Sequence, residues 1–226
     1  MSGTPLRLVI FDVDGTLVDS QGDILGAMQL AFASEGLPVP PREAVLGVVG
    51  LSLDILMPQL APEQDAGTQA RLVQAYKDAY MTLRADTSRG PSSPFYPGAR
   101  AALEQLQAQP DTLLGVATGK SRRGLDKLLE AHDLQGMFVT QQVADFHPSK
   151  PNPAMLLEAL RETGVRAQDA VMVGDTSFDM EMAASAGICG IAVDWGYHPA
   201  SRLGAARHKL ARFEDLAPLL DTIWTE

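Results

Sequence analysis

Short, continuous apolar segments recur along the chain, and they constrain its fold more strongly than any other feature. The segments are LRLVIF at 6–11, TLLGVA at 112–117, MFVT at 137–140, AVMVG at 170–174 and CGIAV at 189–193. Because apolar and polar residues do not alternate within them, both faces of each segment are predicted to be buried, as in parallel strands covered by helices. Amphipathic stretches lie between the segments, for example around Leu125, Leu128 and Leu129. The sequence therefore predicts an α/β fold with a doubly wound, mainly parallel, Rossmann-like sheet.

One part of the chain breaks this alternation. Between Asp19 and Asp86 the sequence predicts no strand, but it predicts helices at about 21–35, 52–60 and 66–84. We interpret residues 19–87 as an inserted all-helical cap domain, and residues 1–18 and 88–226 as the Rossmann-like core. The stretch DTSRGPSSPFYPG, which follows the last of these helices, is rich in Pro, Gly and Ser and is typical of a linker.

The overall charge restricts the possible partners. The formal net charge is -10 and the pI is about 4.8, which disfavours a general nucleic-acid or anionic-membrane binder. The lone Cys189 cannot form an internal disulfide, and the apolar run near the N-terminus is interrupted by Arg7 and is shorter than a signal peptide or membrane span. We expect a cytoplasmic protein that acts on a small molecule, with no nucleic-acid or membrane partner. The oligomeric state stays open.

The first apolar segment ends in two like charges. Asp12 and Asp14, in the motif DVDGT, are two residues apart, so both would lie on one face of an extended chain. At a separation of ~5 Å and an effective dielectric of 20, two carboxylates repel by roughly 3 kcal/mol. A cation beside them, or a proton on one of them, is therefore expected.

Polar motifs follow several of the other predicted strands. DVDGT at 12–16, TGK at 118–120, SKPNP at 149–153 and GDTSFD at 174–179 all fall at or shortly after a strand end. In an open α/β sheet the ligand crevice lies outside the carboxyl ends of the strands. The four motifs are therefore predicted to meet in one site, with carboxylates, a hydroxyl and a lysine facing one another.

In this order and spacing, FDVDGTLVDS, VATGKSRRGLDKLL, SKPNPAM and VGDTSFDMEMAASAG resemble the haloacid dehalogenase-like hydrolase superfamily over nearly the whole chain. The resemblance implies that Asp12 is the nucleophile that becomes an aspartyl phosphate, and that Asp14 is the general acid and then the general base. It also implies a Mg²⁺ ion held by Asp12, the backbone carbonyl of Asp14 and Asp175. Such an ion, or a protonated Asp14, would relieve the repulsion between the first two carboxylates.

The same resemblance assigns roles to five further residues. Thr118 and the amide of Gly119 would hold the phosphoryl oxygens in front of a helix capped by Ser121, and Lys150 would add a positive charge. Asp179 would orient Lys150 or a metal-bound water without itself binding the metal. Thr16 would fix the turn that follows the first strand.

The substrate is predicted from the branch of the superfamily that the chain resembles. VGLSLD and WGYH, with the motifs above, look most like the phosphoglycolate phosphatase-like and beta-phosphoglucomutase-like branch, which carries a helical cap. The implied function is a Mg²⁺-dependent phosphatase for a small phosphorylated metabolite, with 2-phosphoglycolate as the first candidate. Specificity is predicted to come from the cap, around Ser52, Leu53 and Asp54, which would close over the crevice.

Three alternatives to a phosphatase fit the sequence less well. A beta-phosphoglucomutase-type mutase carries a cap Arg for the distal phosphate, but Leu53 stands at the matching place. A dehalogenase lacks the second acidic residue of the first motif, which is present here as Asp14. A noncatalytic regulatory or assembly protein on the same fold would be expected to have lost a nucleophile, a metal ligand or the phosphate-binding lysine, and the sequence retains all of these.

Overall fold

A computed structural model of the protein describes residues 5–85 and 93–225. In the described part, six strands form one sheet in the order β3-β2-β1-β4-β5-β6, and every neighbouring pair is parallel. The strands are β1 (Arg7–Phe11), β2 (Thr112–Thr118), β3 (Thr140–Val143), β4 (Ala170–Gly174), β5 (Cys189–Val193) and β6 (His208–Leu210). The predicted α/β fold with a parallel, doubly wound sheet is confirmed.

Helices connect and cover these strands. Their bounds are α1 (Gln21–Ser34), α2 (Arg42–Leu46), α3 (Leu53–Leu60), α4 (Ala66–Ala85), α5 (Ala99–Gln107), α6 (Arg122–Ala131), α7 (Ala154–Thr163), α8 (Ser177–Ser185) and α9 (Leu216–Ile223). The Ser121 hydroxyl accepts a hydrogen bond from the Gly124 amide at 3.1 Å, so the predicted N-cap of α6 is confirmed.

Strand β1 shows why its apolar run is continuous. Val9 and Phe11 pack into a cluster that includes side chains of α5 and α6, whereas Leu8 and Ile10 pack into a cluster that includes side chains of α7 and α8. All four side chains are fully buried. Burying an aliphatic or aromatic side chain of this size contributes about 1.5–3 kcal/mol, so alternate residues stabilise both layers around the sheet.

The third predicted strand was placed too early in the chain. The sequence predicted a strand at 137–140, but β3 begins at Thr140 and ends at Val143. Phe138 packs into the core ahead of the strand, and Val139 is exposed. Strand β3 is at the edge of the sheet and pairs only with β2. An edge strand tolerates polar residues, which is why apolar content alone gave the wrong bounds.

Helices α5 and α9 and two shorter elements were not predicted. Helix α2 has five residues and follows two prolines, and β6 is a three-residue strand at the other edge of the sheet. Neither is long enough to produce a clear periodic pattern in the sequence.

The predicted cap segment, whose described residues 19–85 are called the cap below and the rest of the described chain the core, is mainly helical. Helices α1 to α4 share an apolar cluster that includes Met28, Phe32, Leu46, Met57 and Leu72. The division into core and cap remains a prediction. Its second boundary, at 87/88, and residues 86–92 of the predicted linker lie outside the described residues. Among the described helices, none has the length and apolar character needed to cross a bilayer.

The strand order positions the site. Strand β1 lies between β2 and β4, and the chain moves away from it in opposite directions on the two sides. A ligand crevice is expected beyond the carboxyl ends of the strands at such a switch point. The segments that follow β1, β2 and β4 carry three of the four predicted motifs.

Candidate active site

Three buried carboxylates meet at the carboxyl edge of the sheet. Asp12 directly follows β1, Asp175 directly follows β4, and Asp179 lies in the first turn of α8. One oxygen from each lies within 4.8 Å of the others, and the three residues are at most 1% exposed. The structure therefore brings together residues that are far apart in the sequence, as the motif positions predicted.

Lys150 lies within this cluster. Its ammonium group is 2.8 Å from Asp12 Oδ1 and 2.6 Å from Asp179 Oδ1, and its side chain is fully buried. The other oxygen of Asp179 accepts the Thr176 amide hydrogen at 3.0 Å, in a capping box that starts α8. The carboxylate of Asp179 is therefore fixed by the helix and in turn holds Lys150 beside Asp12.

One lysine does not balance three carboxylates. Burial raises the pKa of Asp12 to about 7, even though the Lys150 ammonium lowers it. Burial and the negative charges of Asp12 and Asp179 raise the pKa of Asp175 well above its ordinary value. The cluster therefore has negative charge that its own groups leave uncompensated.

The carboxylate oxygens of the cluster, one of them unpaired among the described residues, fit a hard divalent cation. Asp12 Oδ2 is buried and has no hydrogen-bond partner among the described residues. Asp175 is held in place on both oxygens, by the Thr16 hydroxyl at 2.9 Å and by the Tyr197 amide at 2.8 Å. Carboxylate oxygens are the ligands that Mg²⁺ prefers. The predicted contribution of the Asp14 backbone carbonyl stays a prediction.

The turn after β1 allows Asp175 to approach. Gly15 has φ +86, and a Cβ at this position would lie 2.3 Å from Asp175 Oδ2, so a side chain would meet the carboxylate. Thr16 was predicted to fix this turn, and its hydroxyl instead donates to Asp175 on the neighbouring strand end. Thr16 therefore links the ends of β1 and β4.

Asp14 is held apart from the carboxylate cluster by its own cation. Its Oδ1 atom is 2.8 Å from the ammonium of Lys120 and also accepts a hydrogen bond from the Ser20 hydroxyl. Ser20 Oγ is in turn 3.1 Å from the Tyr197 hydroxyl. Asp12 and Asp14 thus each have a separate lysine, Lys150 and Lys120, which offsets the repulsion expected from their spacing.

Lys120 is the main site residue that the sequence analysis missed. Its side chain is 8% exposed, and its ammonium donates to the Tyr80 hydroxyl of the cap helix α4 at 3.0 Å. Burial opposes its charge, but Asp14 and Tyr80 raise the pKa of Lys120 above its ordinary value. The available signal was its place in TGK, directly after the predicted phosphate-binding residues. Ser20 and Tyr197 were also missed as site residues, because their contacts depend on the tertiary fold.

The loop after β2 lies directly against the cap. Thr118 is buried, and its hydroxyl accepts the Lys120 amide hydrogen at 3.2 Å. At Gly119, a Cβ would lie 2.6 Å from the carbonyl oxygen of Gly50, so a side chain would push the cap loop away. Both predicted phosphate-binding residues therefore lie where the cap meets the core.

The predicted specificity stretch of the cap also contacts the core. The Ser52 amide donates to the Ser149 hydroxyl at 2.9 Å, next to the loop that carries Lys150. Leu53 begins α3 and lines the cavity described below, whereas Asp54 is exposed and is not part of that lining.

A second bridge between cap and core runs through His198. Its Nδ1 atom accepts the Ser177 amide hydrogen at 3.0 Å, and its Nε2 atom lies 3.1 Å from the Gly47 carbonyl oxygen. Burial is the main reason that the pKa of His198 falls to about 4. A neutral ring fits both bonds, since one nitrogen accepts and the other donates.

A cavity of about 680 Å³ lies between the cap and the carboxyl edge of the sheet. Asp12 and Asp14 line it, together with Thr118, Gly119 and Lys120. A carboxylate with an oxygen that is unpaired among the described residues and a second carboxylate beside a lysine therefore line the same cavity. This arrangement can combine nucleophilic attack with proton transfer to the same bound molecule.

Comparison with known proteins is consistent with this site. A family model described as haloacid dehalogenase-like hydrolase matches residues 9–193. The probable phosphatase IndB of Dickeya dadantii is 36% identical over 203 residues, which cover 88% of this chain and 86% of that protein. A phosphoglycolate phosphatase of Pseudomonas savastanoi is 33% identical over 195 residues, covering 85% of this chain and 71% of that protein.

Solved structures share the fold. A haloacid dehalogenase-like family hydrolase from Streptococcus pneumoniae superposes with a TM-score of 0.82 at 22% identity, covering 95% of this chain and 98% of that chain. A beta-phosphoglucomutase from Clostridium difficile superposes with a TM-score of 0.79 at 17% identity, covering 98% of this chain and 100% of that chain. At these identities the two structures support the fold alone. The family match over most of the chain and the relatives above 30% identity show that this protein belongs to the haloacid dehalogenase-like hydrolases.

Proposed function

We propose that the protein is a Mg²⁺-dependent phosphatase that hydrolyses a small phosphomonoester through an aspartyl phosphate on Asp12. The observation that carries the proposal is the buried, unpaired Oδ2 atom of Asp12, within the carboxylate cluster and on the wall of the cavity. The relatives named as phosphatases support the reaction class. 2-Phosphoglycolate is the first substrate to test, because several relatives are named phosphoglycolate phosphatase.

The residues of the chain suit the two halves of such a reaction. In the first half, an Asp12 oxygen forms a bond to phosphorus while the ester bond breaks, and Asp14 gives its proton to the departing oxygen. In the second half, Asp14 takes a proton from the water that attacks the phosphoryl group, and Asp12 is released. When bound to Asp12, Asp175 and the Asp14 carbonyl, Mg²⁺ would neutralise charge on the phosphoryl group. Lys150, held by Asp179, adds a second positive charge there.

A mutase of the beta-phosphoglucomutase type is the second candidate, since the solved structures include that enzyme. A mutase must hold a second phosphate in the cap. Leu53, which lies where such enzymes are expected to carry an Arg, contributes an apolar side chain to the cavity. This observation favours hydrolysis over the mutase reaction, in which the phosphoryl group is transferred back to the sugar. Production of glucose 6-phosphate from beta-glucose 1-phosphate would instead support the mutase.

Removal of divalent cations tests the proposal directly. We expect turnover of p-nitrophenyl phosphate to be lost in EDTA and restored by excess Mg²⁺, because the carboxylate cluster would otherwise repel the phosphoryl group. The measurement is p-nitrophenol release with a matched Mg²⁺ titration. Turnover that persists fully in EDTA would argue against the metal. Absence of turnover on a panel of phosphomonoesters that includes 2-phosphoglycolate would favour the noncatalytic alternative.

Asp14→Asn separates the two halves of the reaction. With an activated aryl phosphate, whose leaving group needs little protonation, the attack by Asp12 should slow less than the water step. We therefore expect the phosphoenzyme to accumulate above the wild-type level, measured by rapid acid quench and intact mass. The adduct should map to Asp12. Phosphate on another residue, or product release at the wild-type rate, would contradict the assigned roles.

Leu53→Ala tests the cap as the specificity element. Shortening a half-buried Leu on the cavity wall should lower kcat/KM about three- to tenfold for bulky substrates, and less for acetyl phosphate, whose leaving group is small. The neighbouring Asp54→Ala is a matched control, since Asp54 is exposed and outside the lining. Equal losses on all substrates for Leu53→Ala would point to damaged folding or closure rather than to specificity.

A further inference from the structure

One part of the cavity wall is apolar. Among the described residues, the buried cap residues of the lining, which we call the cap chamber, are all apolar: Ile24, Met28, Val45, Val49, Leu51 and Leu56. Each is at most 7% exposed. The two buried core residues in the same lining are Asp12 and Thr118, which lie at the predicted phosphate end.

Six polar residues of the lining lie elsewhere. Gln74, Lys77 and Asp78 of α4 and Arg123, Lys127 and Glu130 of α6 are all exposed, so they face solvent. Arg84 of α4 also lines the cavity, but it is half-buried, and its Nη1 atom is buried without a hydrogen-bond partner among the described residues. Lys120 reaches the cavity, but it is already paired with Asp14 and Tyr80. A charged or hydroxyl-rich leaving group packed against the six side chains of the cap chamber would lose its water without gaining hydrogen-bond partners from them.

We infer that the preferred substrate carries an apolar body of at least ring size in its leaving group, which the cap chamber encloses while the phosphate lies at Asp12. The inference rests on the proposed phosphatase function and names the substrate class of that site. It also predicts that 2-phosphoglycolate, with a two-carbon anionic leaving group, is a poorer substrate than an aryl-methyl or longer alkyl phosphate.

The size of the cavity supports this inference. A volume of about 680 Å³ lies within the ~300–1,000 Å³ that encloses a drug-sized ligand. A two-carbon leaving group would leave most of the apolar wall without contact. Each methylene group that becomes fully buried there is expected to improve affinity by up to about fourfold.

Two aromatic rings favour a flat body. Tyr76 and Tyr80 of α4 both line the cavity, and their rings are stacked with centroids 5.8 Å apart and an interplanar angle of 28°. The Tyr80 hydroxyl also accepts a hydrogen bond from Lys120, which in turn is paired with Asp14. A planar ring in the leaving group can pack against such a surface with little loss of side-chain freedom.

Binding of hydrolysis-resistant phosphonates to the wild-type protein tests the inference without depending on turnover. By isothermal titration calorimetry with Mg²⁺, we expect benzylphosphonate to bind at least tenfold more tightly than methylphosphonate or phosphonoacetate. Affinity should also rise from methyl- to butyl- to hexylphosphonate. Equal or tighter binding of phosphonoacetate would overturn the inference. If Arg84→Met then weakened that binding, Arg84, which lines the cavity, would be the carboxylate partner.

Turnover of the matching phosphates separates this inference from the proposed function. We expect kcat/KM for benzyl phosphate to exceed that for ethyl phosphate and 2-phosphoglycolate at least tenfold. If the protein hydrolyses phosphomonoesters but prefers 2-phosphoglycolate, the proposed phosphatase function stands and the apolar substrate class is wrong. If benzylphosphonate binds tightly but no ester is hydrolysed, the apolar binding site stands and the phosphatase function is wrong.

A pair of substitutions on one helix locates the binding site. Met28→Trp fills the cap chamber and should weaken benzylphosphonate binding at least tenfold, with a smaller loss for methylphosphonate. Leu30→Trp is the matched control, because Leu30 is on the same helix and 48% exposed, and it should change neither affinity. Val49→Thr, which keeps the volume and adds a hydroxyl, should weaken benzylphosphonate about threefold if Met28→Trp fails to fold. Unchanged benzylphosphonate affinity in a folded Met28→Trp or Val49→Thr protein would overturn the inference.

Discussion

Replacing Asp12 by Asn is expected to reduce turnover by at least ~10³-fold while leaving the fold intact. The amide has nearly the volume of the carboxylate but is a poor nucleophile toward phosphorus. The substitution also removes one of three carboxylates that share a buried site, so electrostatic repulsion toward Asp175 and Asp179 decreases. The measurement is kcat with a good aryl phosphate, together with the thermal unfolding midpoint in EDTA.

The unfolding midpoint distinguishes the loss of a nucleophile from the loss of structure. We expect the midpoint of Asp12→Asn to be equal to or above that of the wild type. Acid-quenched samples should contain no acyl phosphate at position 12. Substantial turnover in a preparation free of wild-type enzyme would remove Asp12 from the role of nucleophile. A large fall in the midpoint would mean that activity was lost through folding.

The contrast between β1 and β3 shows which parts of the fold the sequence predicts well. Strand β1 is buried on both faces by separate helical layers, so nearly every residue in it must be apolar and the pattern is unambiguous. Strand β3 is an edge strand with the polar sequence TQQV. Of the apolar residues before it, Met137 and Phe138 pack against the core from a loop, whereas Val139 is exposed. A run of apolar residues therefore predicts a strand correctly only where the buried residues also lie in a strand.

The carboxylate cluster was predictable for a related reason. Asp12 and Asp175 directly follow central parallel strands, and the ends of such strands necessarily lie side by side. Asp179 lies in the first turn of α8, four residues after Asp175, so the capped start of this helix is enough to place it. Topology alone therefore brings these residues together.

The surroundings of Asp14 could not be predicted in this way. Its contact with Lys120 depends on how far the side chain reaches from the end of β2, and that lysine is further fixed by Tyr80 of the cap. The Ser20 and Tyr197 hydroxyls, which meet beside Asp14, are separated by 177 positions in the sequence. Such contacts are set by the docking of cap on core, which local patterns do not encode. The same holds for the apolar cap chamber.

Replacing Lys150 by Met is expected to produce the largest combined effect on stability and activity. Lys150 is fully buried and holds Asp12 and Asp179, so its removal leaves carboxylates in the core without a cation. Removing one partner of a buried ion pair lowers the free energy of unfolding by about 3–5 kcal/mol. Loss of the positive charge beside the phosphoryl site should also lower kcat by ~10²–10³-fold. Urea unfolding in EDTA and kcat with Mg²⁺ are the two measurements.

Lys209→Met is the control for the removal of a lysine, since Lys209 is exposed on the edge strand β6, and its effect should stay within about 0.5 kcal/mol. A Lys150→Met protein as stable as this control would contradict the ion-pair role. If its kcat/KM stayed within about twofold of wild type, Lys150 would have no role at the phosphoryl site.

The pH dependence of the stability of Lys150→Met is an independent check of why this variant is destabilised. Burial already raises the pKa of Asp12 to about 7, and Lys150 is the group that lowers it, so its removal should raise that pKa further. A carboxyl group with a raised pKa in the folded state binds protons more tightly than in the unfolded chain, so folding becomes more favourable as the pH falls. Lys150→Met should therefore recover stability as the pH falls from 8 to 5, relative to Lys209→Met.

Adding Asp179→Asn to Lys150→Met should also recover stability at neutral pH, because the second substitution removes one uncompensated charge, but it should not restore kcat. A stability deficit that is independent of pH would mean that lost packing of the lysine side chain, rather than its charge, is the cause.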